Sequence, residues 1–153
     1  MGPRGCSPVC LDAVPLCPVW NASRPVRDTA SVLLADEPET YRLIEKMIAF
    51  WSGACRSRRI HIGFDETHDL GRGKYLDRHG WVRNFDIFNG HLQQVCALCR
   101  AAGLQPMIWS DMYFRMGSKT QNYYDTGTVI PVPSPMHACM LSDFSRVRHC
   151  TTP

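Results

Sequence analysis

The segment RIHIGFDE, residues 59–66, decides the fold predicted for this chain. Its two isoleucines alternate with polar residues, which is the period of a β-strand, and Gly63 ends the apolar run. Two acidic residues, Asp65 and Glu66, follow at once. Enzymes built as (β/α) barrels carry their catalytic groups at the carboxyl ends of their strands. The segment therefore predicts a buried strand that delivers two carboxylates to a site; the alternative is a surface turn in which two solvated acids end a strand.

Helical patterns lie on both sides of this strand. Residues 36–52 repeat apolar side chains at helical spacing, and Asp36 is placed to cap the first turn. A second helix is predicted over residues 84–102, with Gly103 as a left-handed stop, and a second strand over residues 107–109. The order helix, strand, helix, strand predicts parallel strands joined by crossover helices.

Length and composition restrict the class of protein. The chain has 153 residues, of which 44% are hydrophobic and 20% are charged, as in globular proteins. A complete (β/α)8 barrel needs about 250 residues. We therefore predict an α/β fold that is a fragment of a TIM (β/α)8 barrel, with about three βα units over residues 32–130. Residues 1–31, rich in Pro and Cys, and residues 131–153 are predicted to be irregular. A truncation or a misread gene boundary would explain both termini.

Charge and cysteine usage favour a cytoplasmic protein without a cofactor. The net charge of +3 includes no basic stripe for nucleic acid, and no apolar stretch is long enough for a membrane span. The eight cysteines do not form a disulfide-like framework, and prolines interrupt the first 20 residues, where a signal peptide would lie. Cys96 and Cys99 are predicted to pack in the core, because no second pair accompanies them. We expect no metal and no cofactor, and the sequence does not indicate the oligomeric state.

Two motifs carry a resemblance to a known family. Residues 61–66 resemble the His-x-Gly-Gly-Asp-Glu motif of glycoside hydrolase family 20, the β-N-acetylhexosaminidases. Phe64 stands where the motif usually has its second glycine. Residues 105–112 resemble the next strand of that family, which carries a tryptophan of the sugar pocket, here Trp109. The resemblance covers roughly residues 32–130 and implies the barrel fold.

The resemblance also implies a mechanism and a role for each residue. In this family the 2-acetamido oxygen of the substrate attacks the anomeric carbon, so no enzyme nucleophile is needed. By resemblance Glu66 is the general acid and base, and Asp65 holds and stabilises the acetamido group. Trp109 is expected to form a wall of the sugar pocket. His61 is either a supporting residue of the pocket or a buried strand histidine, and Asp111 is either a residue of the pocket rim or a solvated loop acid.

Two functions follow from these expectations. The first is hydrolysis of terminal β-linked N-acetylhexosamine from a glycan or glycoside. The second is a truncated, non-catalytic remnant of such an enzyme that at most binds sugar weakly. Because barrel strands are missing at this length, we expect the isolated chain to be inactive.

Overall fold

A computed structural model describes residues 24–123, 125 and 127 of the chain. The predicted tail and most of the predicted N-terminal segment lie outside these residues. In chain order the elements are a 3-10 turn at Arg24–Val26, α1 at Pro38–Ala54, β1 at Arg59–His61, α2 at Lys74–His79, α3 at Asn84–Ala101, β2 at Gln105–Met107 and α4 at Asp111–Gly117. The described part is therefore an α/β arrangement around a small sheet.

The two strands pair in parallel, as the sequence predicts. His61 lies opposite Met107, and the hydrogen bonds continue beyond the strands themselves. The Ile62 N–H donates to the Met107 carbonyl at 2.9 Å, and the Trp109 N–H donates to the Gly63 carbonyl at 3.0 Å. Because the strands are parallel, both leave the sheet at the same edge.

The helices α1 and α3 cover one face of this sheet. Ile60 points into a buried cluster that also contains Ile44 and Ile48 of α1, Val95 and Cys99 of α3, and Leu104 from the connection between α3 and β2. Full burial of one aliphatic side chain of this size contributes roughly 1.5–3 kcal/mol. On the other face Arg59, Met107 and Trp109 are exposed, and no described element lies over them.

A second buried cluster joins α3 to α2, to α4 and to the segment that precedes α1. Its members are Val32, Leu34, Ala35, Leu70, Tyr75, Phe85, Ile87, Phe88, Leu92, Cys96, Met112 and Tyr113. Neither α2 nor α4 is predicted from the sequence. With six and seven residues, they are too short to show a clear helical period.

The two long helices are confirmed, with one correction at the start of α1. The N-cap residue is Glu37, without a side-chain capping bond, so the predicted role of Asp36 is wrong. Asp36 has a φ of 63°, and its carboxylate instead accepts a hydrogen bond from the Tyr75 hydroxyl at 3.2 Å. After α3, Gly103 has the predicted left-handed backbone, with a φ of 68°.

Buried Asp28 fixes the segment between Glu66 and α2. Its carboxylate accepts hydrogen bonds from the Gly71 N–H at 2.9 Å and from the Tyr75 N–H at 2.7 Å. Its backbone passes so close to Gly73 that a Cβ atom there would lie 2.1 Å from the Asp28 carbonyl oxygen. Residues 24–31 are therefore largely irregular but tightly attached to the rest.

Two glycine-to-alanine substitutions should have opposite effects on stability. Gly73→Ala drives a methyl group into the Asp28 backbone, and we expect it to lower the free energy of unfolding by about 1–3 kcal/mol. Gly90 lies inside α3, and nothing is within 4 Å of a Cβ atom added there. Gly90→Ala should therefore raise the free energy of unfolding by about 0.5–1 kcal/mol. Urea unfolding of both variants measures the difference. A Gly73→Ala variant as stable as the wild type would contradict the described contact.

Candidate functional site

The acid pair lies on a turn with an unusual backbone. Gly63, Phe64 and Glu66 have φ values of 78°, 72° and 49°. A non-glycine residue held in this left-handed region costs on the order of 1–3 kcal/mol, and such residues cluster at functional sites. The turn directly follows the last backbone pairing of β1 with β2, so Asp65 and Glu66 stand at the carboxyl edge of the sheet.

The two carboxylates of the pair have different surroundings. Asp65 is partly buried and lines a cavity, whereas Glu66 is exposed and is not part of that lining. Within residues 24–123 neither carboxylate forms a hydrogen bond or an ion pair. Neighbours in sequence therefore face different environments, and both groups are available to a ligand.

His61 and Trp109 stand together at the same edge. Their ring centroids are 4.8 Å apart, and the Trp109 side chain remains exposed, with 54% of its surface accessible. The Gly63 N–H donates to His61 Nδ1 at 3.2 Å, which leaves the ring proton on Nε2. Burial lowers the pKa of His61, and the charge of Asp65 acts in the opposite direction. His61 thus supports both the turn and the tryptophan.

Asp111 begins α4, two residues after Trp109. Its Oδ1 atom is buried and has no hydrogen-bond partner within the described part of the chain. A buried carboxylate oxygen is normally paired, since desolvation without a partner is unfavourable. Asp111, expected to be either a rim residue or a solvated loop acid, therefore lies close to Trp109 in the chain, but its unpaired acceptor is buried.

The cavity beside Asp65 lies between β1, α3 and the segment that precedes α1. Its volume is about 80 Å³, which is smaller than the roughly 300–1,000 Å³ of a complete small-molecule pocket. Its walls are Ser31, Val32, Leu33, Ile62, Gly63, Phe64, Asp65, Thr67, Leu70, Phe88 and His91. Trp109 is not among them, so the predicted site residues are divided between this cavity and the open edge of the sheet.

His91 is a wall residue that the sequence analysis missed. Its Nδ1 atom lies 3.0 Å from the Tyr41 hydroxyl, and its ring packs on Phe64 at 5.4 Å between centroids. Burial lowers its pKa to about 4, with the charge of Asp36 acting in the opposite direction. One sequence signal was available, since His91 lies three residues after buried Phe88 and interrupts the apolar stripe of α3.

His68 connects the acid turn to α4. Arg115 donates to His68 Nδ1 at 2.9 Å and also to the Tyr123 hydroxyl. The His68 N–H donates to the carbonyl of Glu66 at 2.8 Å. These bonds connect His68, two residues after Glu66, to α4.

The remaining features of residues 24–123 concern metal ligands, helix length and thiols. No group of three or more His, Cys, Asp or Glu side chains in this range could hold a metal ion. None of its helices is long and apolar enough to cross a membrane. Cys99 is fully buried and burial raises its pKa to about 11, which keeps its thiol protonated at neutral pH.

Comparison with known proteins assigns neither a family nor a relative. No family model matches the chain, and no curated protein matches it. The acid turn, the tryptophan beside it and the cavity are therefore the features that bear on function.

The lowered pKa of His91 predicts a pH dependence of stability. The folded chain keeps His91 neutral down to a pH of about 4, whereas the unfolded chain protonates it near its ordinary pKa of about 6.5. The contribution of neutral His91 to the free energy of unfolding is complete above pH 6.5. It is lost as the pH falls towards 4, which lowers the free energy of unfolding by about 2 kcal/mol. Urea unfolding at pH 7 and pH 4.5 should show this loss in the wild type and a smaller one in His91→Gln. Exposed His79→Gln is the control, and an equal loss in His91→Gln would contradict the assignment.

Proposed function

We propose that this chain carries the acid pair of a glycosidase that removes terminal β-linked N-acetylhexosamine with the help of the substrate's own acetamido group. One observation carries the proposal. Asp65 and Glu66 occupy a left-handed turn at the carboxyl edge of a parallel pair of strands, and the next strand delivers exposed Trp109 to the same edge. This is the edge at which (β/α) barrels place their catalytic groups.

The different surroundings of the two acids support a division of labour. Adjacent residues cannot readily act as an acid and a nucleophile on opposite faces of one sugar ring, so the nucleophile is assigned to the substrate. Exposed Glu66 is free to protonate the leaving oxygen. Partly buried Asp65 has an unused acceptor that can take the N–H of the acetamido group and stabilise the positive charge that develops on it.

The backbone at Phe64 supports the resemblance to family 20. The family motif has glycine at this position, and Phe64 has a φ of 72°, a conformation that glycine adopts without strain. The departure in sequence therefore keeps a backbone conformation of the kind that favours glycine. The phenylalanine side chain packs edge-on against Phe88, with 5.1 Å between ring centroids, and this burial offsets the strain.

Trp109 fits the role of a sugar-pocket wall at the edge. An exposed indole face packs well against the apolar C–H groups of a pyranose ring. Asp111 is a rim residue by its position in the chain alone, because its unpaired Oδ1 atom is buried rather than exposed at the edge. His61 would act by holding the tryptophan rather than by contacting the reacting atoms.

The sheet supports membership of a barrel. Helices cover one face of β1 and β2, whereas the face with Met107 and Trp109 is open in the described part. In a barrel, the face away from the helices points inwards and is covered by further strands. We propose that this chain is a piece of such a barrel.

The same open face favours a second candidate function, a non-catalytic remnant that binds sugar weakly. The cavity of about 80 Å³ and the single tryptophan supply only part of a sugar pocket. An incomplete wall cannot position substrate and acid together, and positioning contributes several kcal/mol to catalysis.

Replacement of the acid should depend on the leaving group. In a complete barrel protein that contains residues 59–111, Glu66→Gln should slow cleavage of alkyl glycosides by about 10²- to 10⁴-fold. Activated aryl glycosides should lose much less, because their leaving groups need no proton. Glu45→Gln, an exposed acid on α1, is the matched control. Steady-state rates on both substrate types decide the matter, and equal losses would argue against an acid role for Glu66.

The isolated chain tests the barrel-fragment interpretation. Purified residues 1–153 should turn over an aryl N-acetyl-β-glucosaminide far more slowly than about 1 s⁻¹, the low end for enzymes. The physical reason is the open sheet face, which leaves part of the sugar pocket unbuilt. A soluble monomer with an ordinary turnover rate would show that the barrel-fragment interpretation is wrong.

A further inference from the structure

The cavity beside Asp65 contains polar groups that the described residues leave unsatisfied. The Oγ1 atom of Thr67 is buried without a partner, and the Asp65 carboxylate forms no hydrogen bond within residues 24–123. In the same range Nε2 of His91 has no partner, since the one hydrogen bond of its ring is made by Nδ1. Of these three groups only Thr67 Oγ1 is a fully buried atom, and proteins leave few such atoms unpaired. The Asp65 carboxylate and His91 Nε2 line the same cavity and can pair with a group bound there.

Tyr41 and His91 share a hydrogen bond in which either group can be the donor. The Tyr41 oxygen accepts a hydrogen bond from the Asp36 N–H at 3.4 Å and lies 3.0 Å from His91 Nδ1. When the Tyr41 hydroxyl donates to Nδ1, the neutral ring carries its proton on Nε2. In that tautomer Nε2 is a hydrogen-bond donor.

The rest of the cavity wall is mostly apolar. Its apolar members are Val32, Leu33, Ile62, Phe64, Leu70 and Phe88. At about 80 Å³, the cavity is small enough for one compact group to touch polar and apolar walls together. A donor on one side, a carboxylate acceptor on another and apolar walls between them match a secondary amide with a short acyl chain.

We propose that His91 is a specificity-determining residue that donates a hydrogen bond from Nε2 to the carbonyl oxygen of an amide whose N–H group Asp65 accepts. This inference rests on the proposed function, which supplies the identification of the amide as part of an N-acetylated sugar. It adds to that function the residue on α3 that distinguishes an N-acylated sugar from a plain one. The Thr67 hydroxyl is a second hydrogen-bond donor to the same carbonyl oxygen.

The test measures binding to the 153-residue chain. The imidazole ¹⁵N signals of His91 are followed during titration with N-acetylglucosamine and, separately, with glucose, which lacks the amide. N-acetylglucosamine should shift the Nε2 signal in a saturable way, and glucose should not. His91→Phe keeps the packing on Phe64 but removes the donor, and should weaken N-acetylglucosamine binding about tenfold, as expected for one lost hydrogen bond. His79→Phe, an exposed position that stacks on Tyr75, should bind like the wild type.

Two further variants separate recognition from structure. His91→Gln restores a donor and should recover part of the affinity. Tyr41→Phe leaves His91 in place and should move its ¹⁵N signals towards a mixture of tautomers while weakening binding two- to fivefold, even if His91→Phe does not fold.

Three results would overturn the proposal. The first is that N-acetylglucosamine does not shift the His91 ¹⁵N signals. The second is that glucose shifts them equally, as expected for a cavity that holds only water, and the third is that His91→Phe binds N-acetylglucosamine with unchanged affinity. None of them affects the leaving-group test of Glu66, so failure of this inference is distinguishable from failure of the proposed function.

Discussion

The parallel pairing of β1 with β2 is the constraint on which the rest depends. Its last hydrogen bonds are the one from the Ile62 N–H to the Met107 carbonyl and the one from the Trp109 N–H to the Gly63 carbonyl. They bring the acid turn and the tryptophan to the same edge, although more than 40 residues separate them in the chain. The helices α1 and α3 stabilise this pairing by burying Ile60 on one face only. The same arrangement that forms the core therefore leaves the other face and the edge open to a ligand.

Strain and packing are balanced at the acid turn. Phe64 and Glu66 adopt a backbone that disfavours their side chains, at a cost on the order of 1–3 kcal/mol each. Phe64 offsets this by packing on Phe88 and His91, and Asp28 fixes the following segment through the N–H groups of Gly71 and Tyr75. The turn is thus held in a conformation that it would not adopt alone, and its carboxylates are left unpaired within the described residues.

The sequence predicted the parts of the fold that arise from local periodicity. The long helices and the first strand followed from apolar spacing, and the parallel pairing followed from their order. Asp28 could not be predicted, because its partners lie 43 and 47 residues away and no local pattern indicates them. The cap at Asp36 was wrong because the Tyr75 hydroxyl binds that carboxylate instead. For the site, the motif predicted Asp65, Glu66 and Trp109 at one edge of the sheet, but it could not reveal that the two acids face different surroundings or that His91 lines the same cavity as Asp65.

The most direct test of the glycosidase assignment is binding of a thiazoline that mimics the cyclised acetamido intermediate. Intermediates of this kind bind more tightly than substrates, because the site is complementary to the transition state. The indole ¹⁵N–H signals of the wild-type chain report the result, since Trp109 lies at the proposed site and Trp81, which is 81% exposed, serves as an internal control. The account predicts a saturable shift of the Trp109 signal with no shift of the Trp81 signal. An unchanged Trp109 signal at saturating thiazoline would contradict it.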